Sequence, residues 1–258
     1  MKVITTISTK GGSGKTTLNQ LLISAAIEKG QRVHVLDADT DRQILEWQDK
    51  SAGADWSGLE RADWPKSLTV SEPPSDIDEL YELLNKWDSE GVDLTLIDTR
   101  PGEYEETVHF SMAAHAVLVP VAPKQSDFVP AFKTLEWIQK MLGALPDDYD
   151  PPAVSCVLMN APPEALNYLT AEEGDAPKVH NHDREVFDSI TALPLLDTPI
   201  PTSKIIQRMP LLGPIGMCME TYGSDPRRRL QIGHYKATLE IATALYDDVN
   251  ELIGEDHG

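Results

Sequence analysis

Lys10-Gly-Gly-Ser-Gly-Lys-Thr-Thr17 follows directly on the apolar, β-branched run Val3-Ile4-Thr5-Thr6-Ile7 and precedes a segment with helical periodicity. A strand running through a glycine-rich turn into a helix is a phosphate-binding loop. Glycines let successive backbone N–H groups converge on an anion at the helix N-terminus. In that frame Gly11, Gly12, Ser13 and Gly14 form the cradle, Lys15 is a point charge for the β- and γ-phosphates, and Thr16 offers a hydroxyl to Mg²⁺. Thr17 lies within reach of the α-phosphate. Glycine-rich turns also arise from packing alone, but the preceding strand, the Gly-Lys-Thr triplet and the following helix together speak against that here. A nucleoside triphosphate is the expected ligand. The general pattern has Gly where this chain has Thr9, and a second lysine, Lys10, precedes the paired glycines.

Beyond the loop, apolar runs alternate with helical periodicity. Strands are expected over Val3–Ile7, Arg32–Leu36, Leu68–Val70, Leu94–Ile97, Ala116–Val121 and Ala153–Met159. Helices are expected over Lys15–Lys29, stopped by Gly30, then over Gln43–Lys50, Glu103–Ala113, Val129–Leu142 and Pro226–Ile253. A further helix is capped by Ser75, with Ile77, Leu80, Leu83, Leu84 and Trp87 at helical spacing. Ser51–Pro65 reads as a loop, Asp147–Pro152 as an acidic turn, and Pro162–Asp183 as an irregular solvated loop. Pro199, Pro201, Pro210 and Pro214 read as turns. Apolar strands without polar alternation predict an α/β fold: a mostly parallel, doubly wound sheet flanked by helices, as one domain over 1–258. In such a sheet, ligands bind beyond the carboxyl ends of the strands.

Phosphoryl transfer needs positioning and charge stabilisation. Asp98 ends an apolar strand and has the position of a carboxylate that holds Mg²⁺ through water, although a strand-end Asp also serves as a helix cap. Asp37 and Asp39 have a spacing that puts both side chains on one side of an extended segment, so one or both could face the same site. His180 and His182 lack the ligand spacing of a metal site, and the loop reading is preferred.

The formal charge of −20 argues against nucleic acid until its distribution is considered. From Lys204 to Lys236, six basic residues (Lys204, Arg208, Arg227, Arg228, Arg229, Lys236) meet two acidic ones, a local balance of +4 against −24 elsewhere. Such a segment could present an oriented patch to DNA, or to an acidic partner, or it could be a solvated helix start with arginine–carboxylate pairs. The acidity could also reflect a saline habitat. Cys156 and Cys218 are far apart and read as small buried hydrophobes. No run reaches a membrane span, and the first strand begins almost at once without a signal peptide, so a cytoplasmic location is expected.

The KGGxGKTT form resembles the deviant P-loop (deviant Walker A) of the ParA/MinD family of ATPases. Val119-Pro120-Val121-Ala122-Pro123 with Asp127-Phe128, Val157-Leu158-Met159-Asn160 and Ile200-Pro201 are similar to stretches of small ParA proteins. The resemblance implies an ATP- and Mg²⁺-dependent ATPase with a slow basal rate that closes as a homodimer. Lys10 then reaches the phosphates bound by the other subunit. Asp39 orients the attacking water or supports Mg²⁺, Asp37 helps form the metal site, Asn160 contacts adenine and Pro201 belongs to the loop over the base. The usual DxDPQ is replaced here by Asp37-Ala38-Asp39-Thr40-Asp41-Arg42-Gln43, which affects the switch geometry. Asp37-Ala38-Asp39, Trp47, Asp98-Thr99-Arg100 and the C-terminal layout also resemble VirC-type proteins, ParA relatives that promote conjugative transfer of T-DNA. The implied function is positioning or segregating DNA or a DNA–protein complex through largely non-specific contacts. A partner would trigger hydrolysis, or a relaxase or secretion component would be recruited. No separate DNA-binding domain is expected before the P-loop. The alternative is a nucleotide-switched scaffold that touches DNA little. Membrane positioning is disfavoured by the acidic segment Asp247–Asp256, and iron–sulfur chemistry by the lack of paired cysteines.

Overall fold

A computed structural model describes residues 1–146, 149–171, 177 and 179–255. Six parallel strands, β1 (Lys2–Thr6), β2 (Val33–Ala38), β3 (Leu68–Ser71), β4 (Leu94–Thr99), β5 (Ala116–Val121) and β6 (Ala153–Leu158), form one sheet in the order β3-β2-β4-β1-β5-β6. The chain winds outward from β1 toward β3, returns to β4 and then runs to β5 and β6. The end of β1 thus faces the crevice where the winding reverses.

Residues alternate between two faces. Ile4, Val33, Val35, Leu94, Leu96, Ala116, Leu118 and Val157 pack with α1 (Lys15–Glu28), α8 (Lys204–Leu212), α9 (Ile215–Gly223) and α10 (Arg229–Glu255). Val3, Leu36, Ile97, Val117, Val119 and Val121 pack against α3 (Ile77–Ser89), α4 (Glu105–Met112) and α5 (Gln125–Leu142) on the other side. Burial on both faces explains the unbroken apolar runs. α1 is covered through nearly its whole length and ends where Gly30, at φ 76°, takes the left-handed conformation of a helix stop.

Several local expectations are corrected. The cap of α3 is Asp76, whose Oδ1 accepts from Glu79 N at 2.9 Å. Ser75 is the reciprocal partner, donating from its N and Oγ to Glu79 Oε2 at 2.7 Å each. The stretch Pro162–Asp183 is not one irregular loop: α6 (Pro163–Leu169) and the start of α7 (Asn181–Ile190) fall there, while residues 172–176 and 178 lie outside the described residues. Val186, Phe187 and Ile190 join Leu158, Ala161 and Ala165 in a small third core. The acidic surroundings mask that spacing. Pro210 lies within α8 instead of marking a turn. The helix expected at Gln43–Lys50 is α2 (Trp47–Ala52), and α5 begins at Gln125, earlier than Val129. Of the acidic turn over Asp147–Pro152, residues 147 and 148 lie outside the described residues, as does Asp256 of the acidic C-terminal segment.

α2 is stitched to α8: Trp47 Nε1 donates to Met209 O and Ser51 Oγ to Leu212 O, each at 2.7 Å. The Ser51 bond reaches a carbonyl at the end of α8, where helical donors run out, and the Trp47 bond gives the buried indole N–H an acceptor that Gly213 N also shares.

His34 is buried on β2, stacked on Trp87 with ring centroids 3.8 Å apart. Its nitrogens lie 2.7 Å from Thr69 Oγ1 and 3.0 Å from Ser71 Oγ. Burial pushes the imidazole pKa down to about 4 from an ordinary 6.5. The folded state therefore binds fewer protons than the unfolded one. Its stabilising share is whole above about pH 6.5 and is lost as pH falls toward about 4, reaching about 3 kcal/mol. Urea unfolding of wild type and His34→Gln at pH 7.5 and 4.5 checks this: the wild type should lose more stability on acidification than the variant.

Candidate functional site

The loop after β1 enters α1 through Gly14, whose φ of 102° is left-handed. The helix carries no side-chain cap, so its first amides remain available to an anion. Ser13 Oγ is buried without a hydrogen-bond partner among the described residues. An orphaned hydroxyl and uncapped amides at one helix start are suited to phosphoryl oxygens.

Strand register assembles the carboxylates. Asp98 on β4 is level with Asp37 on β2 and with Thr6 on β1, which places the three in one row at the carboxyl ends of the central strands. Thr16 Oγ1 donates to Asp98 Oδ2 at 2.7 Å, so the start of α1 is tied to the end of β4. Asp98 is fully buried, and its pKa is pushed up to about 7, chiefly by burial, with the Thr16 hydrogen bond opposing and Asp37 adding to the rise. Lys15, 4% exposed, is held below its ordinary pKa by burial, against the pull of Asp98, Asp39 and Asp41. A bound cation would offset the burial of Asp98, and a phosphate chain that of Lys15, beyond what the two groups do for each other.

Asp37 is differently employed. Oδ2 accepts from Ile44 N and Leu45 N at 2.9 Å each, and Oδ1 from Asp39 N at 3.3 Å. Its carboxylate thus frames the segment after β2, and burial raises its pKa in spite of these bonds. Asp39 lines the cleft, its Oδ1 accepting from Asp41 N at 3.1 Å. Thr40 stands where the usual DxDPQ has proline, and Arg42, at φ 49°, pairs with Glu72 at 2.8 Å.

The resulting cleft has a volume of about 420 Å³. Gly11 through Thr17 form one wall, Asp39, Thr40, Asp41 and Gln43 another, and Pro101 and Asn160 complete it. Asn160 adopts φ 52°, and its neighbour Ala161 bridges to Pro201. Pro201 lines a separate groove of about 360 Å³ between α8 and α10. Lys10 is turned away from the cleft: its Nζ lies 2.6 Å from Asp127 Oδ1 and donates to Ser126 O at 3.1 Å. Among the described residues no cluster of three or more His, Cys, Asp or Glu is placed to hold a metal. A cation bound at Thr16 and Asp98 would draw its remaining ligands from phosphate and water, as Mg²⁺ commonly does.

The basic segment is drawn together by packing of α8, the 3₁₀ turn Pro226–Arg228 and α10. Lys204, Arg208, Arg229 and Lys236 are exposed. Arg227 is bound by Asp225 through contacts of 2.9 to 3.2 Å, and Arg228 lies over the Tyr222 ring at 5.2 Å and donates to Gln231 Oε1 at 2.9 Å. Arg100 stacks on Tyr104 at 3.5 Å and pairs with Glu106. Cys156 and Cys218 are buried, and burial pushes both thiols up to about 12. Sequence reasoning did not foresee the role of Thr9, whose amide donates to Thr134 Oγ1 at 3.0 Å, nor the pairing of Lys10 with Asp127. The signals were Thr9 in a glycine position and Asp127 in the ParA-like stretch that begins at Val119.

The family model described as VirC1 protein matches residues 1–255. Protein virC1 of Rhizobium rhizogenes is 25% identical over 257 residues, covering 99% of this chain and 98% of that protein. Protein virC1 of Rhizobium radiobacter is 23% identical over 256 residues, covering 98% and 99%. Among solved structures, the MinC:MinD cell division complex of Aquifex aeolicus superposes with a TM-score of 0.62 at 18% identity, covering 95% of each chain. MinD of Pyrococcus horikoshii complexed with Mg-ADP gives 0.57 at 18% identity, covering 99% and 98%. pNOB8 ParA bound to nonspecific DNA gives 0.57 at 19% identity, covering 97% and 99%. The fold is that of the MinD/ParA P-loop NTPases.

Removing the Thr16 hydroxyl or the Asp98 charge should abolish most of the benefit that Mg²⁺ brings to nucleotide affinity. For Thr16→Ala and Asp98→Asn the expected loss is about tenfold or more, the size of one charge-assisted hydrogen bond. Titration of a fluorescent ATP analogue with and without Mg²⁺ measures it.

Proposed function

This chain belongs to the VirC1 family, and from that we propose an ATP-switched, dimerising ATPase that positions or segregates DNA or a DNA–protein complex, in conjugative transfer of T-DNA type or in partition. The observation that carries the reading is the Thr16–Asp98 pair set beside Lys15 at an uncapped helix start, a geometry suited to a triphosphate and one divalent cation. Mg²⁺, when bound, supplies charge that stabilises the β- and γ-phosphoryl oxygens. Lys15 and the amides of Gly11 to Thr17 hold the phosphates, Thr16 and Asp98 hold the cation, and Asp39 orients a water for attack. Asp37 acts by fixing the backbone that carries Asp39. Asn160, with the Pro201 segment beside it, is assigned to the base. Lys10 serves a nucleotide held by a second copy, so turnover is slow until the dimer closes and a partner protein stimulates it. The proposed location is cytoplasmic. The Mg-ADP complex of a MinD neighbour and the nonspecific-DNA complex of a ParA neighbour support these ligand classes.

DNA contact is assigned chiefly to Lys204, Arg208, Arg229 and Lys236, which are exposed, and less to Arg227 and Arg228, which Asp225 already engages. That engagement favours, as a second reading, a scaffold that recruits a relaxase or secretion complex with little DNA binding. No helix among the described residues is long and apolar enough to cross a membrane.

Lys15→Ala should lose nucleotide binding, whereas Asp39→Ala should still dimerise with ATP but hydrolyse it poorly, both read by sedimentation and phosphate release. Wild-type turnover by Asp39→Ala removes its assigned role. In a salt titration of DNA affinity, Arg208→Glu and Arg229→Glu should each flatten the logarithmic slope by about one. Affinity indifferent to both changes selects the scaffold.

A further inference from the structure

The arm of the P-loop that carries Lys10 is fastened to α5 at two points. Thr9 N donates to Thr134 Oγ1 at 3.0 Å, and the Thr9 and Thr134 hydroxyls are 3.0 Å apart. One residue on, the Lys10 ammonium contacts Asp127 Oδ1 at 2.6 Å and Ser126 O at 3.1 Å. The second acceptor exists because of Pro130. A proline inside a helix has no N–H, so the carbonyl four residues earlier, that of Ser126, loses its helical donor and is left to another. Ser126 Oγ donates to Asp127 Oδ2 at 3.2 Å and steadies the carboxylate. The Asp127 side chain is 16% exposed, so the pair is drier than an ordinary surface ion pair.

We propose that Asp127, together with the Pro130-freed carbonyl of Ser126, is a positioning site that parks Lys10 on its own chain in the nucleotide-free protein. Lys10 must leave it before reaching a nucleotide held by a second copy. The inference rests on the trans role assigned to Lys10 above. The parked pair is a toll on dimer closure: one charge-assisted contact breaks within each subunit for each one made across the interface. Asp127 acts through Lys10 and touches no phosphate.

Two measurements on the full-length protein test it. In the nucleotide-free state, brief treatment with acetic anhydride followed by mass spectrometry reports Lys10 reactivity, with Lys133 on the same helix as internal reference. Asp127→Asn should raise Lys10 acetylation about fivefold, the worth of an ion pair of this exposure, with Lys133 unchanged. In sedimentation with ATPγS and Mg²⁺, Asp127→Asn should dimerise at a protein concentration lower by a similar factor, while its monomer binds nucleotide as wild type does. Unchanged Lys10 reactivity, a parallel rise at Lys133, or unchanged dimerisation overturns the proposal. Lys10→Ala separates the two levels. If it fails to dimerise while Asp127→Asn behaves as wild type, the parking site alone falls. If Lys10→Ala dimerises and hydrolyses like wild type, the trans role falls and the proposal with it.

Discussion

The hydrogen bond from Thr16 to Asp98 joins the two parts of the molecule on which everything else is built. One end belongs to the first turn of α1, the other to the last residues of a strand buried on both sides. The bond holds only because β1 lies beside β4 in a register that sets Thr6 level with Asp98, and Thr99 Oγ1 reinforces that register by donating to Thr6 O at 2.7 Å. The cost of the arrangement is a carboxylate buried among others, raised to about pKa 7. A cation beside this carboxylate would offset the cost of burying its charge.

Much of this was legible in the chain itself, and for a physical reason. Runs such as Ala116–Val121 are apolar without alternation because the sheet is covered on both faces, so their limits coincide with the strand. The P-loop is read from contiguous residues whose chemistry is local. What escaped reading depends on partners distant in sequence or on competition between neighbours. Ser75 and Asp76 are both good caps, and only the backbone angle at Asp76 decides between them. Val186, Phe187 and Ile190 form a helical stripe diluted by polar residues, visible once Leu158 and Ala165 are known to lie opposite. Pro210 is tolerated within α8, near its end, where few further helical bonds remain to be lost.

The candidate site divides along the same line. Thr16, Lys15 and Asp98 could be named from spacing because a strand end and a helix start must meet there. Asp37 could be named but not understood: the spacing with Asp39 suggests twin ligands, whereas its oxygens are spent on the amides of Ile44, Leu45 and Asp39. Lys10 carried a signal, yet its resting partner is 117 residues away. The basic segment was visible as charge, but the share neutralised by Asp225 depends on a turn geometry that composition does not encode.

The stitching of α2 to α8 has a mechanical side. α2 follows directly on the segment that Asp37 frames and that walls the cleft, while α8 bears Lys204 and Arg208. Sliding either helix alone would strand the Trp47 indole N–H and the Leu212 carbonyl, a penalty of about 1 to 3 kcal/mol for each. The two helices are therefore coupled as one unit that runs from the segment behind the cleft wall to the helix that carries Lys204 and Arg208.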